Sequence, residues 1–310
     1  MRPAARLQSA IELVDQIILA ARDGGASADQ IAKRFFAERR YAGSKDRRAV
    51  RDLAWGVIRR FGKRPATARS AFAAMADVDP ELAALFDGSD YGPAVIDPAE
   101  ARSTGGALPK WIKPLFSEHV DEAEQASLLD RAPMDLRVNA LKARRTEVAA
   151  LLPEAEILPA LDFALRLPGG TAIDSHPAVE NGQVEIQDLG SQLIVEACQA
   201  KGLGTVLDLC AGAGGKTLAL AAAMGNAGRL IATDTNRNRL DQLKPRAARA
   251  GATNVETRLL NPNKEKDMLS DLKGGCDLVL IDAPCSGSGT WRRNPETRWR
   301  LDSARLKRVV

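Results

Sequence analysis

The most informative part of this sequence is VLDLCAGAGGKTLALA, residues 206–221. It begins as an apolar run typical of a buried strand, turns at a group of glycines and continues in a pattern typical of a helix. Gly212, Gly214 and Gly215 let a ligand approach the backbone closely, and the free N–H groups at the helix start favour an anionic group. The stretch therefore predicts a ligand site at a strand-to-helix turn.

Three kinds of ligand use such a turn: the phosphates of ATP, a dinucleotide, and the carboxylate of S-adenosylmethionine. A phosphate-binding P-loop requires glycine where Cys210 stands. The dinucleotide fingerprint requires a third glycine where Thr217 stands. S-adenosylmethionine is therefore the best fit to the motif.

Strands and helices alternate outward from this stretch. Strands are predicted at residues 205–210, 229–234, 254–260 and 276–282, and helices at 216–224 and 237–250, the second broken or bent by Pro245. This alternation is typical of βαβ units and a parallel sheet. Because ligands lie beyond the carboxyl ends of parallel strands, we expect one site formed by the residues that follow Cys210, Asp234, Leu260 and Asp282.

Asp234 ends the second predicted strand, where a carboxylate can accept hydrogen bonds from both hydroxyls of an adenosyl ribose. The position suits a nicotinamide dinucleotide as well, so it indicates adenosine in general. A simpler interpretation also stands, in which Asp234 caps the helix predicted at 237–250.

The second informative stretch is DLVLIDAPCSGSGTWRRNPETRW, residues 277–299. Its apolar strand delivers Asp282, Pro284 and Cys285 to the edge of the expected site, and the small residues that follow leave room for a planar group. A thiolate there can add to C6 of cytosine, which makes C5 nucleophilic enough to accept a methyl group. The alternative is a small buried thiol without chemistry, but the Asp-Ala-Pro-Cys context favours the reactive interpretation.

The formal charge of +4 conceals a strong asymmetry. Residues 1–70 carry a net +9 and residues 206–310 a net +7, whereas residues 71–150 and 151–205 each carry −6. Basic ends are typical of a polyanion partner, although solvated helix faces also carry charge.

Residues 1–70 have helical periodicity, with an apolar stripe at Leu7, Ile11, Val14 and Ile18, and residues 135–190 predict a small α+β unit.

The four cysteines show no disulfide or zinc spacing, and the two histidines lie in unrelated segments, so we expect a reduced compartment and no metal. No apolar run reaches membrane-spanning length, and the N-terminus does not resemble a signal peptide. We therefore expect a cytoplasmic protein.

The motifs CAGAGGK, IATD and LIDAPCSGSG resemble those of the Sun/Fmu (RsmB-like) family of RNA cytosine-5 methyltransferases. VEIQDLGSQL (184–193) is similar to the entry motif of that family, and residues 35–60 resemble the NusB-like helical domain of its ribosomal-RNA members. Two departures are mild: Ala213 stands where proline is usual, and Asn261 stands where the third strand commonly ends in aspartate.

The resemblance implies roles for individual residues. Asp234 would hold the ribose of S-adenosylmethionine, Asn261 the adenine edge, and Asp282 the junction of cofactor and base, with Pro284 fixing the turn. Cys285 would assist product release, while the nucleophile would be a second cysteine in a Thr-Cys-Ser motif that this sequence lacks. The methionine part would lie among Cys210, Ala211, Gly212, Ala213, Gly214, Gly215 and Lys216.

We therefore expect an all-α NusB-like RNA-binding domain at 1–130, a small α+β subdomain at 131–190 and a Rossmann-like methyltransferase domain at 191–310. Four predicted strands, where this fold has seven, lead us to expect a truncated catalytic domain and a nucleophile beyond residue 310. The expected function is cytosine-5 methylation of small-subunit ribosomal RNA by a monomer. Alternatives are a non-catalytic RNA-binding or assembly module and a methyltransferase of another target. The candidate RNA-binding residues are Arg39, Arg40, Arg47, Arg48, Arg292 and Arg293.

Overall fold

The computed structural model describes residues 1–308 as two compact units. One consists of residues 1–131 together with the segment that begins at Cys285, and the other of residues 132–284. The last two residues of the domain expected at 191–310 lie outside the described residues. The boundaries expected at residues 130 and 190 divide the chain by function, and this functional division stays a prediction.

The first unit is helical. Its N-terminal part contains α1 (Pro3–Asp23), α2 (Ala28–Glu38), α3 (Ser44–Arg60), α4 (Ala68–Ala76), α5 (Pro80–Ala83), a 3₁₀ turn (Lys113–Leu115) and α6 (Glu122–Ser127). The expected stripe of α1 is buried and packs with side chains of α2 and α3. Gly24 ends α1 in the left-handed region, with φ of 71°, and the Ser27 hydroxyl caps α2 by accepting from the Gln30 N–H.

The second unit contains two four-stranded sheets. Its elements are β1 (Met134–Val138), α7 (Arg145–Leu151), β2 (Glu156–Ile157), β3 (Ala164–Leu167), α8 (Pro177–Glu180), β4 (Val184–Ile186), α9 (Leu189–Ala197), β5 (Thr205–Asp208), α10 (Gly215–Ala223), β6 (Arg229–Asp234), α11 (Arg237–Leu240), α12 (Leu243–Ala250), β7 (Val255–Leu259), α13 (Glu265–Met268), a 3₁₀ turn (Ser270–Leu272) and β8 (Leu278–Leu280). The first sheet is antiparallel, in the order β2–β3–β1–β4, and the second is parallel, in the order β7–β6–β5–β8.

The parallel sheet confirms the four strands predicted from residues 205–282. The helix predicted at 237–250 is divided between α11 and α12, and the break lies at residues 241–242, before Pro245. Pro245 occupies the first turn of α12, where its missing N–H removes no helical hydrogen bond, so the bend expected at this residue is displaced towards the N-terminus.

A buried polar layer joins the antiparallel sheet to the helices of the parallel one. Asn139 donates from its amide to the carbonyl oxygens of Gly182 and Ala250, at 2.9 and 2.7 Å. Glu185 on β4 accepts from Arg246 and Arg249 of α12, at 2.6 and 2.8 Å. The small sheet therefore positions α12 through directional polar contacts, since each buried group has to find a partner.

The segment after Cys285 completes the helical unit. It contains 3₁₀ turns at Ser288–Thr290 and Pro295–Arg300, followed by α14 (Ser303–Lys307). Arg298, only 1% exposed, donates to carbonyl oxygens of Ile58 and Arg59 at the end of α3 and to those of Ala107 and Pro295. The Trp299 indole N–H donates to the carbonyl of Phe61. The buried guanidinium of Arg298 therefore satisfies free carbonyl groups at the C-terminus of α3.

Replacing Arg298 with alanine removes these donors from buried carbonyl groups. We expect Arg298→Ala to lower the free energy of unfolding of the chain by about 3 kcal/mol or more. Urea denaturation followed by circular dichroism measures the change. Arg48→Ala, at an exposed position, is the control and should cost less than about 0.5 kcal/mol. Equal unfolding midpoints for the two variants would contradict the anchoring role of Arg298.

Candidate functional site

Parallel pairing brings the carboxyl ends of the strands to one edge of the second sheet. In β5, Asp208 lies opposite Ala232 of β6 and Leu280 of β8. In β6, Asp234 lies opposite Leu259 of β7. The residues after each strand therefore share the edge at which parallel sheets hold ligands, as expected from the alternation of strands and helices.

The glycine-rich loop between β5 and α10 is tied to β6. The Ala211 N–H donates to the carbonyl of Thr233, and the Gly212 N–H donates to Asp234 Oδ2, both at 2.8 Å. Gly214 has a φ of 86°, and a Cβ atom at this position would collide with the side chain of Leu243. The loop thus requires glycine at position 214 for both backbone and packing reasons.

Asp234 makes hydrogen bonds to several segments at this edge of the sheet. Its second oxygen, Oδ1, accepts from the Asn236 N–H at 2.7 Å, while its main-chain carbonyl accepts from the Leu260 N–H at 2.9 Å. The helix-capping interpretation is not what is found, because Asn236 caps α11 by accepting from the Arg239 N–H. Asp234 instead joins the glycine-rich loop to the ends of β6 and β7.

Lys216 and Asp282 meet across the same edge. Lys216 Nζ donates to Asp282 Oδ2 at 2.6 Å. The lysine side chain is largely buried, whereas that of Asp282 is half exposed. The pairing brings the end of the DLVLID strand to the start of α10, as the two sequence motifs predict.

Asp208 is a site residue that the sequence analysis missed. Its carboxyl group is buried at the end of β5, where Oδ2 accepts from the Thr217 hydroxyl at 2.7 Å and Oδ1 has no hydrogen-bond partner within residues 1–308. Burial raises the pKa of Asp208 to about 6. Because Asp208 lies within an apolar strand, hydrophobic periodicity did not identify it as a site residue. The only feature of the sequence that pointed to it was its place directly before the glycine-rich turn.

Cys210 and Asn261 also lie at the ends of strands. Burial, together with Asp234, Asp208 and Asp282, raises the pKa of the Cys210 thiol. A protonated thiol suits a wall of a ligand site better than it suits a nucleophile. Asn261, after β7, donates from its backbone N–H to Met268 Sδ and leaves its exposed side chain without a protein partner in the described residues.

The predicted catalytic loop is exposed. Residues 281–285, which include Pro284 and Cys285, are all solvent accessible. Cys285 begins the segment that belongs to the helical unit, whereas Asp282 belongs to the second unit. Arg292 and Arg293 are half-buried, and the phosphate-binding role expected of them stays a prediction. Arg298 and Trp299, which follow in the same segment, direct their donors to buried carbonyl groups.

The basic cluster of the helical unit divides into two kinds of residue. Arg39 lies over the Phe35 ring and pairs with Glu12, and Arg47 donates to the carbonyl of Ala42. Arg40 and Arg48 are exposed and make no side-chain hydrogen bond or ion pair within residues 1–308. Arg40 and Arg48 are therefore available to an external anion.

Two further classes of site receive no support within residues 1–308. In the described part of the chain, no group of three or more His, Cys, Asp or Glu side chains is arranged to hold a metal ion. None of the helices within residues 1–308 combines the length and the apolarity that a bilayer-spanning segment needs.

The parallel sheet, the glycine-rich loop after β5 and the acidic residue after β6 define an α/β fold of the methyltransferase type. Residues 197–310 match the family described as 16S rRNA methyltransferase RsmB/F. The resemblance to the RsmB-like methyltransferases that the motifs predict is thereby confirmed over these residues.

Two named relatives agree with this match. The chain is 34% identical over 216 residues to the probable ribosomal RNA small subunit methyltransferase B of Synechocystis, with 66% of this chain and 47% of the relative covered. It is 32% identical over 227 residues to the protein of the same name from Bacillus subtilis, with 70% and 50% covered. The chain spans about half the length of these relatives.

Two solved structures share the fold. The crystal structure of PH0851 matches with a TM-score of 0.71 at 20% identity, covering 97% of this chain and 80% of that one. The structure of NSun6 from Pyrococcus horikoshii with SFG matches with a TM-score of 0.55 at 17% identity, covering 65% and 76%.

The glycine-rich loop allows a matched pair of substitutions. Gly214→Ala places a methyl group against Leu243 at a positive φ, and we expect it to destabilise the chain by about 1–3 kcal/mol. Gly215→Ala meets open space at the first position of α10 and should change stability by less than about 0.5 kcal/mol. Thermal unfolding of both variants measures the difference. Equal melting temperatures would show that the loop does not depend on the Gly214 conformation.

Asp208 should make stability depend on pH. Its folded-state pKa of about 6 lies above the ordinary value of 3.8, so the folded state binds the proton more tightly. The charged form therefore destabilises the fold above pH 6, by roughly 1–3 kcal/mol, and this cost disappears as the pH falls through 6 towards 4.

Asp208→Asn keeps the acceptor for Thr217 without the charge. We expect this variant to be more stable than wild type at pH 8, with a difference that shrinks as the pH is lowered to 4. Melting temperatures measured across that range test the idea. A wild-type protein that is the more stable of the two at pH 8 would overturn it.

Proposed function

We propose that this chain is the cofactor- and RNA-binding part of an S-adenosylmethionine-dependent RNA (cytosine-5) methyltransferase that acts on small-subunit ribosomal RNA. The observation that carries the proposal is the glycine-rich loop held against Asp234 at the carboxyl edge of the parallel sheet. The RsmB/F match over residues 197–310 and the names of the relatives from Synechocystis and Bacillus subtilis support the reaction and the substrate.

The charge of the site supports a cationic cofactor. Asp208, Asp234 and Asp282 all act on the Cys210 thiol, and Lys216 is already paired with Asp282. Such a concentration of carboxylates repels the polyphosphate of ATP or a dinucleotide, whereas the sulfonium and ammonium groups of S-adenosylmethionine are attracted. The buried, unpartnered Oδ1 of Asp208 is a further acceptor beneath the loop.

The residues present fit the parts of that cofactor. In this proposal the loop from Cys210 to Lys216 receives the methionine part, Asp234 receives the ribose hydroxyls and Asn261 receives the adenine edge. When bound, S-adenosylmethionine supplies an activated methyl group. Lys216 holds Asp282 beside the start of α10, and hydrogen bonds to Thr233 and Asp234 fix the backbone of the glycine-rich loop.

Cytosine-5 chemistry is proposed from the Asp282–Ala283–Pro284–Cys285 motif. Pro284 restrains the turn, and Cys285 is an exposed thiol that can act on the product rather than begin the reaction. In the two-cysteine mechanism, the nucleophile that adds to C6 is a second cysteine, which the proposal assigns to a segment outside residues 1–310.

RNA recognition is proposed for the helical unit. Residues 1–130 would form a NusB-like domain, with residues 131–190 as a separate α+β subdomain and residues 191–310 as the catalytic part. Arg40 and Arg48 are the exposed cations of the cluster that also contains Arg39 and Arg47, and Arg292 and Arg293 extend the candidate phosphate contacts. Arg and Lys contacts of this kind position a nucleic acid and do not specify its sequence.

Ligand selectivity tests the proposed function. Isothermal titration of the 310-residue chain is expected to detect S-adenosylhomocysteine with at least about 100-fold higher affinity than ATP or NAD, because three carboxylates disfavour polyphosphates. In parallel, mass spectrometry of the chain mixed with 5-fluorocytosine-containing ribosomal RNA should find no adduct on Cys285. Preferred binding of ATP or NAD would exclude the cofactor assignment, and an RNA adduct on Cys285 would exclude its role in product release.

Salt dependence tests RNA recognition. We expect the double variant Arg40→Ala/Arg48→Ala to weaken binding to small-subunit ribosomal RNA and to reduce the slope of log K against log salt by about 2, since each lost phosphate contact removes about one unit. Lys266→Ala/Lys273→Ala removes two exposed charges from the other unit and serves as the control. Equal slopes for the two double variants would exclude the helical unit as the RNA-contacting part.

A further inference from the structure

A cavity lies in the unit of residues 132–284, separate from the glycine-rich loop. It has a volume of about 420 Å³, within the range of roughly 300–1,000 Å³ that small-molecule sites occupy. Its walls come from β1, α9, α10 and the loop before β3. The lining is apolar at Leu161, Phe163 and Val195, and polar at Arg137 and Gln192.

Arg137 contributes a buried positive charge to the lining of this cavity. The residue is 6% exposed, and its Nε donates to Gln187 Oε1 at 2.7 Å. Its two terminal NH₂ groups have no hydrogen-bond partner within residues 1–308, and Arg137 forms no ion pair there. Burial accordingly lowers the pKa of Arg137 to about 10.

The neighbouring carboxylate of Glu185 does not pair directly with the guanidinium of Arg137. Glu185 acts on Arg137 through space, but its two oxygens accept from Arg246 and Arg249. One carboxylate therefore serves three guanidinium groups in the polar layer. A buried cation whose only direct partner is a neutral amide is costly, and an anion brought into the cavity would relieve that cost.

We propose that this cavity binds a small organic monoanion, whose carboxylate or phosphate head pairs with the terminal nitrogens of Arg137 and whose apolar body packs against Leu161, Phe163 and Val195. A guanidinium with both terminal groups available is suited to a bidentate head group. Lys201 adds a positive charge to the lining, but Asp162 and Glu196 offset it. The site therefore favours a single negative charge over a polyanion such as RNA.

A hydrogen-bonded chain links this site to the glycine-rich loop. Arg137 holds Gln187, whose Nε2 donates to the carbonyl of Gly215 at 3.2 Å, and Gly215 is the first residue of α10. An anion that repositions Arg137 would thus change the affinity of the loop for its own ligand, and the reverse effect must be equal. This coupling rests on the proposed cofactor function, whereas anion binding itself does not.

Titration of the chain with benzoate and methyl phenyl phosphate, both monoanions at neutral pH, followed by NMR, tests the site, with inorganic phosphate as the probe that lacks an apolar body. We expect saturable binding of at least one aromatic probe, with inorganic phosphate about tenfold weaker or more. Ala223→Phe fills the cavity and should weaken binding at least about tenfold, as should Arg137→Gln. Ala248→Phe, at an exposed helical alanine outside the cavity, should leave binding unchanged.

Two results would overturn the site: no saturation by either aromatic probe below about 10 mM, or equal affinities in Ala223→Phe and Ala248→Phe. Because Ala223→Phe leaves Arg137 in place, the test does not depend on the folding of Arg137→Gln. The coupling is measured separately, as the change in S-adenosylhomocysteine affinity when benzoate is present. Benzoate binding without that change would overturn the coupling alone, and absence of S-adenosylhomocysteine binding would overturn the proposed function alone.

Discussion

The parallel pairing of β5 with β6 on one side and β8 on the other is the constraint on which the candidate site depends. It brings the ends of three strands to one edge and allows the Gly212 N–H to reach the carboxylate of Asp234. Lys216 can pair with Asp282 for the same reason, since α10 starts where β8 ends. A shift of β5 by one residue would turn Asp208 to the other face of the sheet and separate these groups.

The polar layer between the two sheets gives that edge its support. Glu185 holds α12 through Arg246 and Arg249, and Arg246 also donates to the carbonyl of Ala213 in the glycine-rich loop. The small antiparallel sheet is thereby part of the site architecture. Its contribution is directional, because buried hydrogen bonds and ion pairs specify one arrangement in a way that apolar packing does not.

Local sequence patterns predicted much of this structure. The stripe of α1 and the four parallel strands follow from periodicity and from turn chemistry, which act over a few residues. Asp208, Arg137 and the anchoring of Arg298 could not be predicted in this way. Arg137 and Arg298 depend on partners distant in sequence, such as Gln187 for Arg137 and the carbonyls of Ile58 and Ala107 for Arg298, and a single sequence contains no signal for such pairings. Asp208 depends on burial within the folded sheet.

Hydrogen–deuterium exchange in the presence of S-adenosylhomocysteine tests whether the carboxyl edge of the parallel sheet is the cofactor site. We expect saturating ligand to slow exchange of the backbone amides in residues 210–216 and 234–236, where the glycine-rich loop and Asp234 meet. Unchanged exchange in both segments at saturation, or protection confined to other parts of the chain, would contradict the assignment of this edge as the cofactor site.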